Sequence, residues 1–214
     1  MRILDEKIDE LQQMLIKMCA MVEESMDKTI RALLNRDMTL ARSAIDLDVA
    51  IDDIEVRIED KCVNIIATQQ PMANDLRRLS SVLKIITDLE RIGDYSVNIA
   101  RIVLQMGDDP LFQPLIDTPK MAEKAKLMVR KSIDAWVADD VALAQETARM
   151  DEEVDRLYEL VYTDLLSSLV ERPERIKQTT QLLFIGRHLE RIADHATNIC
   201  ERVIYVASGA REHY

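Results

Sequence analysis

Two carboxylates four residues apart on one helix face make half of a cation site, and this sequence writes that pair four times. Glu90 and Asp94 recur as Glu190 and Asp194, one hundred residues later. Asp48 and Asp52 recur as Asp151 and Asp155, at an offset of 103. Carboxylate oxygens are hard donors, so columns of them suit di- or trivalent cations. Left unneutralised, like charges four apart weaken a helix by roughly 0.2–0.5 kcal/mol per pair. Arginines, lysines or a bound metal would offset that repulsion. A solvated acidic face is the plainer alternative, since charged residues make up 31% of the chain.

The pairs sit inside a longer internal repeat, which decides the architecture. Leu89-Glu90-Arg91-Ile92-Gly93-Asp94-Tyr95-Ser96-Val97-Asn98-Ile99 returns as Leu189-Glu190-Arg191-Ile192-Ala193-Asp194-His195-Ala196-Thr197-Asn198-Ile199. Ala32, Asp37, Leu40 and Ala41 match Ala135, Asp140, Leu143 and Ala144, and Pro71 matches Pro173. The chain is one unit written twice.

Apolar residues recur at helical spacing nearly throughout. A first helix is predicted over 5–34, with Ile8, Leu11, Leu15, Met18, Val22, Met26, Ile30 and Leu33 as its buried stripe. Asp37 suits the N-cap of a second helix over 38–68. Pro71 suits the first turn of a third, ending near residue 106. Residues 107–119 hold three of the five prolines and read as a linker. Thr118 is then a cap with Pro119 at the first helical position, opening a fourth helix to 138. Asp139 or Asp140 caps a fifth to 170, and Pro173 opens a sixth to 207. The expected fold is all-α: two tandem, pseudo-symmetric three-helix bundles, over 1–107 and 118–214, built from six long helices.

At about 100° per residue, Ile85, Leu89, Ile92 and Ile99 mark the buried face of the third helix. Glu90 and Asp94 fall on its edge, and Asn98 continues their line. On the second helix Asp48, Asp52, Glu55 and Glu59 form a column beside Ile51, Ile54 and Ile58. If these helices are neighbours, two acidic columns face each other. In the second copy Tyr158 and Tyr162 stand where Glu55 and Glu59 were, so that column is shorter.

Composition narrows the function. The chain has 214 residues and a net charge of −11, which disfavours direct nucleic-acid binding. Cys19, Cys62 and Cys200 lack metal-ligand spacing and fit reduced thiols in a cytosolic core. The N-terminal residues from Met1 to Lys7 lack a signal-peptide pattern, and charges interrupt every apolar run, so a cytoplasmic location is expected. No nucleotide loop or nucleophile set stands out, so no enzymatic activity is expected. His188 and His195 point away from the carboxylate line, toward a surface role. Arg91 and Arg191 are expected to face solvent and pair with nearby acids. Arg77 and Arg78 read as a solvated helix face, and Trp136, aligned with Leu33, as core.

The doubled Leu-Glu-Arg-Ile-x-Asp-x-x-x-Asn-Ile resembles the PhoU family. So does Gln70-Pro71-Met72-Ala73-x-Asp75-Leu76-Arg77 upstream of its first copy. The resemblance covers essentially the whole chain. It implies metal clusters of iron or zinc, with magnesium or manganese as further candidates, held by the repeated acidic signature. Carried over, that signature falls on Asp48, Asp52, Glu90, Asp94, Asp151, Asp155, Glu190 and Asp194. It also implies a negative regulator of the phosphate-starvation response that contacts a phosphate ABC-transporter ATPase subunit and a membrane sensor histidine kinase. A homodimer is the expected assembly. Two other classes stay open: a ferritin-like di-metal oxidase and a metal-free helical scaffold. The first of these needs Glu-x-x-His pairs, and none of the three histidines has a Glu three residues before it.

Overall fold

The computed structural model describes residues 3–209, so the outermost residues of both expected repeats, 1–2 and 210–214, lie outside the described residues. Helices α1 (Ile3–Asn35), α2 (Met38–Gln69) and α3 (Ala73–Met106) form the first bundle. Helices α4 (Asp117–Ala138), α5 (Val141–Arg149), α6 (Asp151–Glu171) and α7 (Ile176–Ser208) form the second. No strand occurs among the described residues.

Each long helix exists because one stripe of it is apolar. Leu11, Leu15, Met18, Val22, Met26 and Leu33 of α1 are buried. So are Ile51, Ile54, Ile58, Cys62 and Ile65 of α2. The same cap opens the second helix of each unit. The Asp37 carboxylate accepts from the backbone N–H groups of Thr39 (2.9 Å) and Leu40 (3.0 Å). Asp140 accepts from Leu143 N–H at 2.9 Å. Each satisfies amides that the helix itself leaves unpaired.

Several predicted boundaries move. Gln70 takes a left-handed conformation (φ 47°) and ends α2, so Pro71 falls in the turn and α3 starts at Ala73. Helix α4 starts at Asp117 without a side-chain cap, which places Thr118 and Pro119 inside its first turn. Pro173 opens a single 3₁₀ turn, Pro173–Arg175, ahead of α7. The expected fifth helix is divided at Met150, where Met150 N–H reaches back three residues to Thr147 C=O at 3.0 Å. Such a bond tightens the turn locally toward 3₁₀ geometry. Asp151, Glu152 and Glu153 then occupy the first turn of α6, where the helix dipole favours negative charge.

The bundles meet through equivalent elements: α3 packs on α7, and α1 packs on α4. A surface that meets its own copy is the signature of two-fold pairing. Helices α2 and α6 stay outermost, away from that seam. The linker between α3 and α4 is tied to both units. Arg36 donates to the carbonyls of Gly107 (2.6 Å) and Asp109 (2.7 Å). Gln178 of α7 accepts from Phe112 N–H at 2.8 Å and donates to Pro110 C=O at 3.2 Å.

Trp136 is buried, as its alignment with Leu33 suggests. Arg78 departs from the expected solvated face. Its guanidinium holds both oxygens of Asp139, at 2.7 and 2.8 Å, and lies 5.3 Å from the Trp136 ring centre. All three cysteines are buried free thiols, and burial pushes Cys62 and Cys200 up to about 12.

Candidate functional site

Helices α2 and α3 are neighbours, so the two acidic columns of the first unit do face each other. Gly93 sits where they cross. A Cβ at that position would lie 3.4 Å from Ile51 Cδ1 and 3.7 Å from Asp48 Oδ1. Asp48, Asp52 and Glu55 come from α2, and Glu90 and Asp94 from α3. The Asp94 charge acts on all four of the others. Half-burial pushes the Glu90 carboxyl up to about 7, with Asp94 adding to the shift and Arg91 opposing it. Asp48, Asp52 and Glu55 are also raised, burial coming first in each case and neighbouring carboxylates next.

The second unit repeats this with different neutralisation. Asp151 is pushed up to about 6 by burial first, then by Asp155, Asp194 and Glu190. Asp155 and Glu190 are raised by burial and then by Asp194. The eight acids singled out by spacing thus gather into two clusters of four, one per bundle. Glu55 joins the first.

Arginines hold these clusters in part. Arg91 reaches Glu90 at 3.4 Å and Asp94 at 3.1 Å, and Arg191 reaches Asp194 at 3.2 Å. Both arginines are exposed, as their positions in the repeat suggest. Arg187 pairs with Glu190. Arg187 has no counterpart in the first unit, where Thr87 occupies that place, so the repeat does not announce it. Its position three residues before Glu190 is the signal that finds it.

The donors suit a hard cation by type and number. Asp151 Oδ1 and Glu190 Oε2 are buried oxygens without a hydrogen-bond partner, which is what a cation would satisfy. No three His, Cys, Asp or Glu side chains among the described residues are grouped so as to hold a metal ion. Ligation would require Glu90, Asp94, Glu190 and Asp194 to leave their arginine partners and the carboxylates of each cluster to draw together.

The tyrosines explain the shortened second column. The Tyr158 ring lies over Gly186, where a Cβ would come within 3.3 Å of its Cδ2 and Cε2. At the related positions the first unit has Glu55 and Ile86. A ring packed on a bare helix backbone replaces a carboxylate beside an isoleucine.

His188 and His195 are not the surface residues the sequence suggests. Both are half-buried in the seam between α3 and α7, stacked against Tyr95 at 5.6 and 5.7 Å. Burial lowers the His188 pKa. Asn198 Nδ2 donates to Asp88 Oδ1 at 3.2 Å in the same seam.

The PhoU domain pattern matches residues 15–103 and again 118–203. A phosphate-specific transport system accessory protein PhoU homolog from Clostridium acetobutylicum is 36% identical over 209 residues, covering 97% of this chain and 95% of that one. One from Aquifex aeolicus is 38% identical, covering 95% and 92%. The crystal structure of PhoU from Pseudomonas aeruginosa superposes with a TM-score of 0.90 at 33% identity, covering 96% of this chain and 99% of that one. The phosphate transport system regulatory protein PhoU from Streptococcus pneumoniae gives 0.92 at 31%, covering 99% and 100%.

Proposed function

The chain belongs to the PhoU family, and from that premise we propose that it is a cytoplasmic regulator of phosphate transport that represses the phosphate-starvation response. It acts by binding rather than by catalysis. Its partners are the ATPase subunit of a phosphate ABC transporter and a membrane sensor histidine kinase, and it works as a homodimer. The observation that carries this is the full-length match to phosphate-specific transport accessory proteins, which spans both repeats. Among the described residues no helix is long and apolar enough to cross a membrane. The named partners would therefore supply the link to the bilayer.

Metal would be held by Asp48, Asp52, Glu90 and Asp94 in the first bundle and by Asp151, Asp155, Glu190 and Asp194 in the second. A bound cation of iron, zinc or another divalent metal supplies the positive charge that these clusters otherwise borrow from arginine. The carboxylates lie at the edge of each bundle's core, half of them on the outermost helices α2 and α6. That supports a regulatory surface over a buried oxidase centre.

Complementation tests this. Deleting the protein should leave phosphate-starvation genes on in abundant phosphate, and the wild-type chain should restore repression. The Glu90→Ala, Asp94→Ala, Glu190→Ala, Asp194→Ala variant should fold but fail to restore it. Normal repression in the deletion strain would sink the regulatory reading. Full repression by the variant would sink the role given to the carboxylates.

A further inference from the structure

Helix α2 carries an exposed apolar row that its own fold does not use. Val49, Val56 and Val63 are 65%, 54% and 54% exposed and stand seven residues apart. At about 100° per residue, seven residues drift by only ~20°, so the three valines form one ridge about 21 Å long. The buried stripe of α2 runs along its other side, against α1 and α3, and among the described residues no other element covers the ridge. Valine is a poor choice for an exposed helix position, because its branched Cβ loses rotamer freedom there.

The repeat sharpens the point. At the offset of 103 that relates Asp48 and Asp52 to Asp151 and Asp155, Val49 and Val56 correspond to Glu152 and Glu159. Both glutamates are exposed. At these two of the three ridge positions the same fold takes a charged residue in one bundle and a valine in the other, while Val63 corresponds to Leu166. Building a bundle therefore does not require an apolar residue at the places of Val49 and Val56.

Acids line the ridge on both sides. Asp53 and Asp60 lie roughly 40–60° round one way, and Asp52 and Glu59 a similar angle the other way. All four are exposed. Arg57 lies about 100° round, and Arg42 lies beyond the N-terminal end of the ridge. An apolar ridge between acidic rows repels an anionic membrane, a nucleic acid and a second copy of itself. It complements a helix with a narrow apolar stripe flanked by lysine or arginine.

We infer that the outer face of α2 docks a basic amphipathic helix supplied by a protein partner, with Val49, Val56 and Val63 as the apolar contact. This rests on the reading of the chain as a regulator that acts by binding. Asp52 belongs to the first carboxylate cluster as well, so the docked helix runs along the edge of that site. In the second bundle Glu152 and Glu159 interrupt the corresponding row, so that bundle takes no part.

The test is a direct binding assay, independent of regulation in cells. The probe is a fluorescein-labelled helical peptide with leucines at seven-residue steps flanked by lysines. Its control has the same composition with the lysines moved off the flanks. Anisotropy titration of the full chain should show the probe binding at least tenfold tighter than the control, weakening as salt rises. The Val49→Ser, Val56→Ser, Val63→Ser variant should bind at least tenfold more weakly while unfolding at the wild-type urea midpoint. Asp53→Asn with Asp60→Asn, which leaves the ridge intact, should weaken binding and flatten its salt dependence. Equal binding by the serine variant, or no preference for the probe over its control, would overturn the proposal. A wild-type dimer that the serine substitutions convert to monomer in sedimentation would overturn it too, by assigning the ridge to a second copy. Loss of peptide binding with repression intact would refute regulation through this face while leaving the wider regulatory reading standing.

Discussion

Asp88 of α3 and His195 of α7 meet across the seam between the bundles, His195 Nδ1 lying 2.8 Å from Asp88 Oδ1. With its proton on Nδ1, the imidazole donates to the carboxylate. The repeat relates Asp88 to His188 and Tyr95 to His195. The counterpart of the Asp88–His195 pair is therefore His188 stacked on Tyr95. One pseudo-axis carries a hydrogen-bonded arrangement on one side and an aromatic one on the other.

Replacing Asp88 by Ala should destabilise the protein by about 1–3 kcal/mol, because half-buried donors on His195 and Asn198 lose their acceptor. Urea unfolding followed by circular dichroism measures it. A midpoint within error of wild type would mean that the seam does not depend on this contact.

Metal should stabilise the fold by mass action, about 2.7 kcal/mol at a free ion concentration 100 times the dissociation constant. Changing Glu90 and Asp94 together to Ala should remove the metal of the first bundle and leave that of the second. Elemental analysis of protein purified without chelator reads both. Unchanged metal content with raised stability would mean that the acids are only a repelling, solvated face.

In metal-free protein the raised Glu90 and Asp151 carboxyls should tie stability to pH. The folded state holds their protons up to about 7 and about 6, whereas the unfolded chain releases them near the usual carboxylate values. The folded state binds more protons in that window, so this contribution is present at lower pH and is lost as pH rises through the folded values. Glu90→Gln should flatten the decline between about pH 5 and pH 8 relative to wild type. Parallel wild-type and Gln profiles of unfolding midpoint against pH would reject the assignment.

Two glycines should answer differently to alanine. At Gly93 a methyl meets only ordinary contacts, 3.4 Å or more from Ile51 and Asp48, and the related position already holds Ala193. Gly93→Ala should stabilise by about 0.5–1 kcal/mol through helix propensity and reduced freedom of the unfolded chain. At Gly186 the methyl would press on the Tyr158 ring at 3.3 Å. Gly186→Ala should gain less than Gly93→Ala or lose stability. Thermal unfolding of the pair decides it, and equal gains would show that the Tyr158 ring is free to move.

The long helices were legible in sequence because their apolar stripes are continuous and their caps repeat: Asp37 acts as predicted, and of the two candidates Asp139 and Asp140 it is Asp140 that caps. The acid columns were legible because Glu90, Asp94 and their counterparts recur at a fixed offset. Proline placements were less legible. A proline near a helix start satisfies the same local rule in the turn, at the first position or one turn in, and packing chooses among them. Pro71, Pro119 and Pro173 each took a different choice. His188 and His195 could not be placed from one helix alone. Their burial comes from α3 lying on α7, a contact between distant parts of the chain that periodicity does not encode.

Because α1 packs on α4 and α3 packs on α7, the chain has the layout of a symmetric dimer joined end to end. In a dimer of identical chains every substitution occurs twice, so a change that suits one half is imposed on the other. Fusion lifts that constraint. Tyr158 over Gly186, Arg187 beside Glu190, and valine in place of Glu152 and Glu159 each occur in one copy alone. Such a molecule can specialise one half without changing the other, with both still held on a shared scaffold.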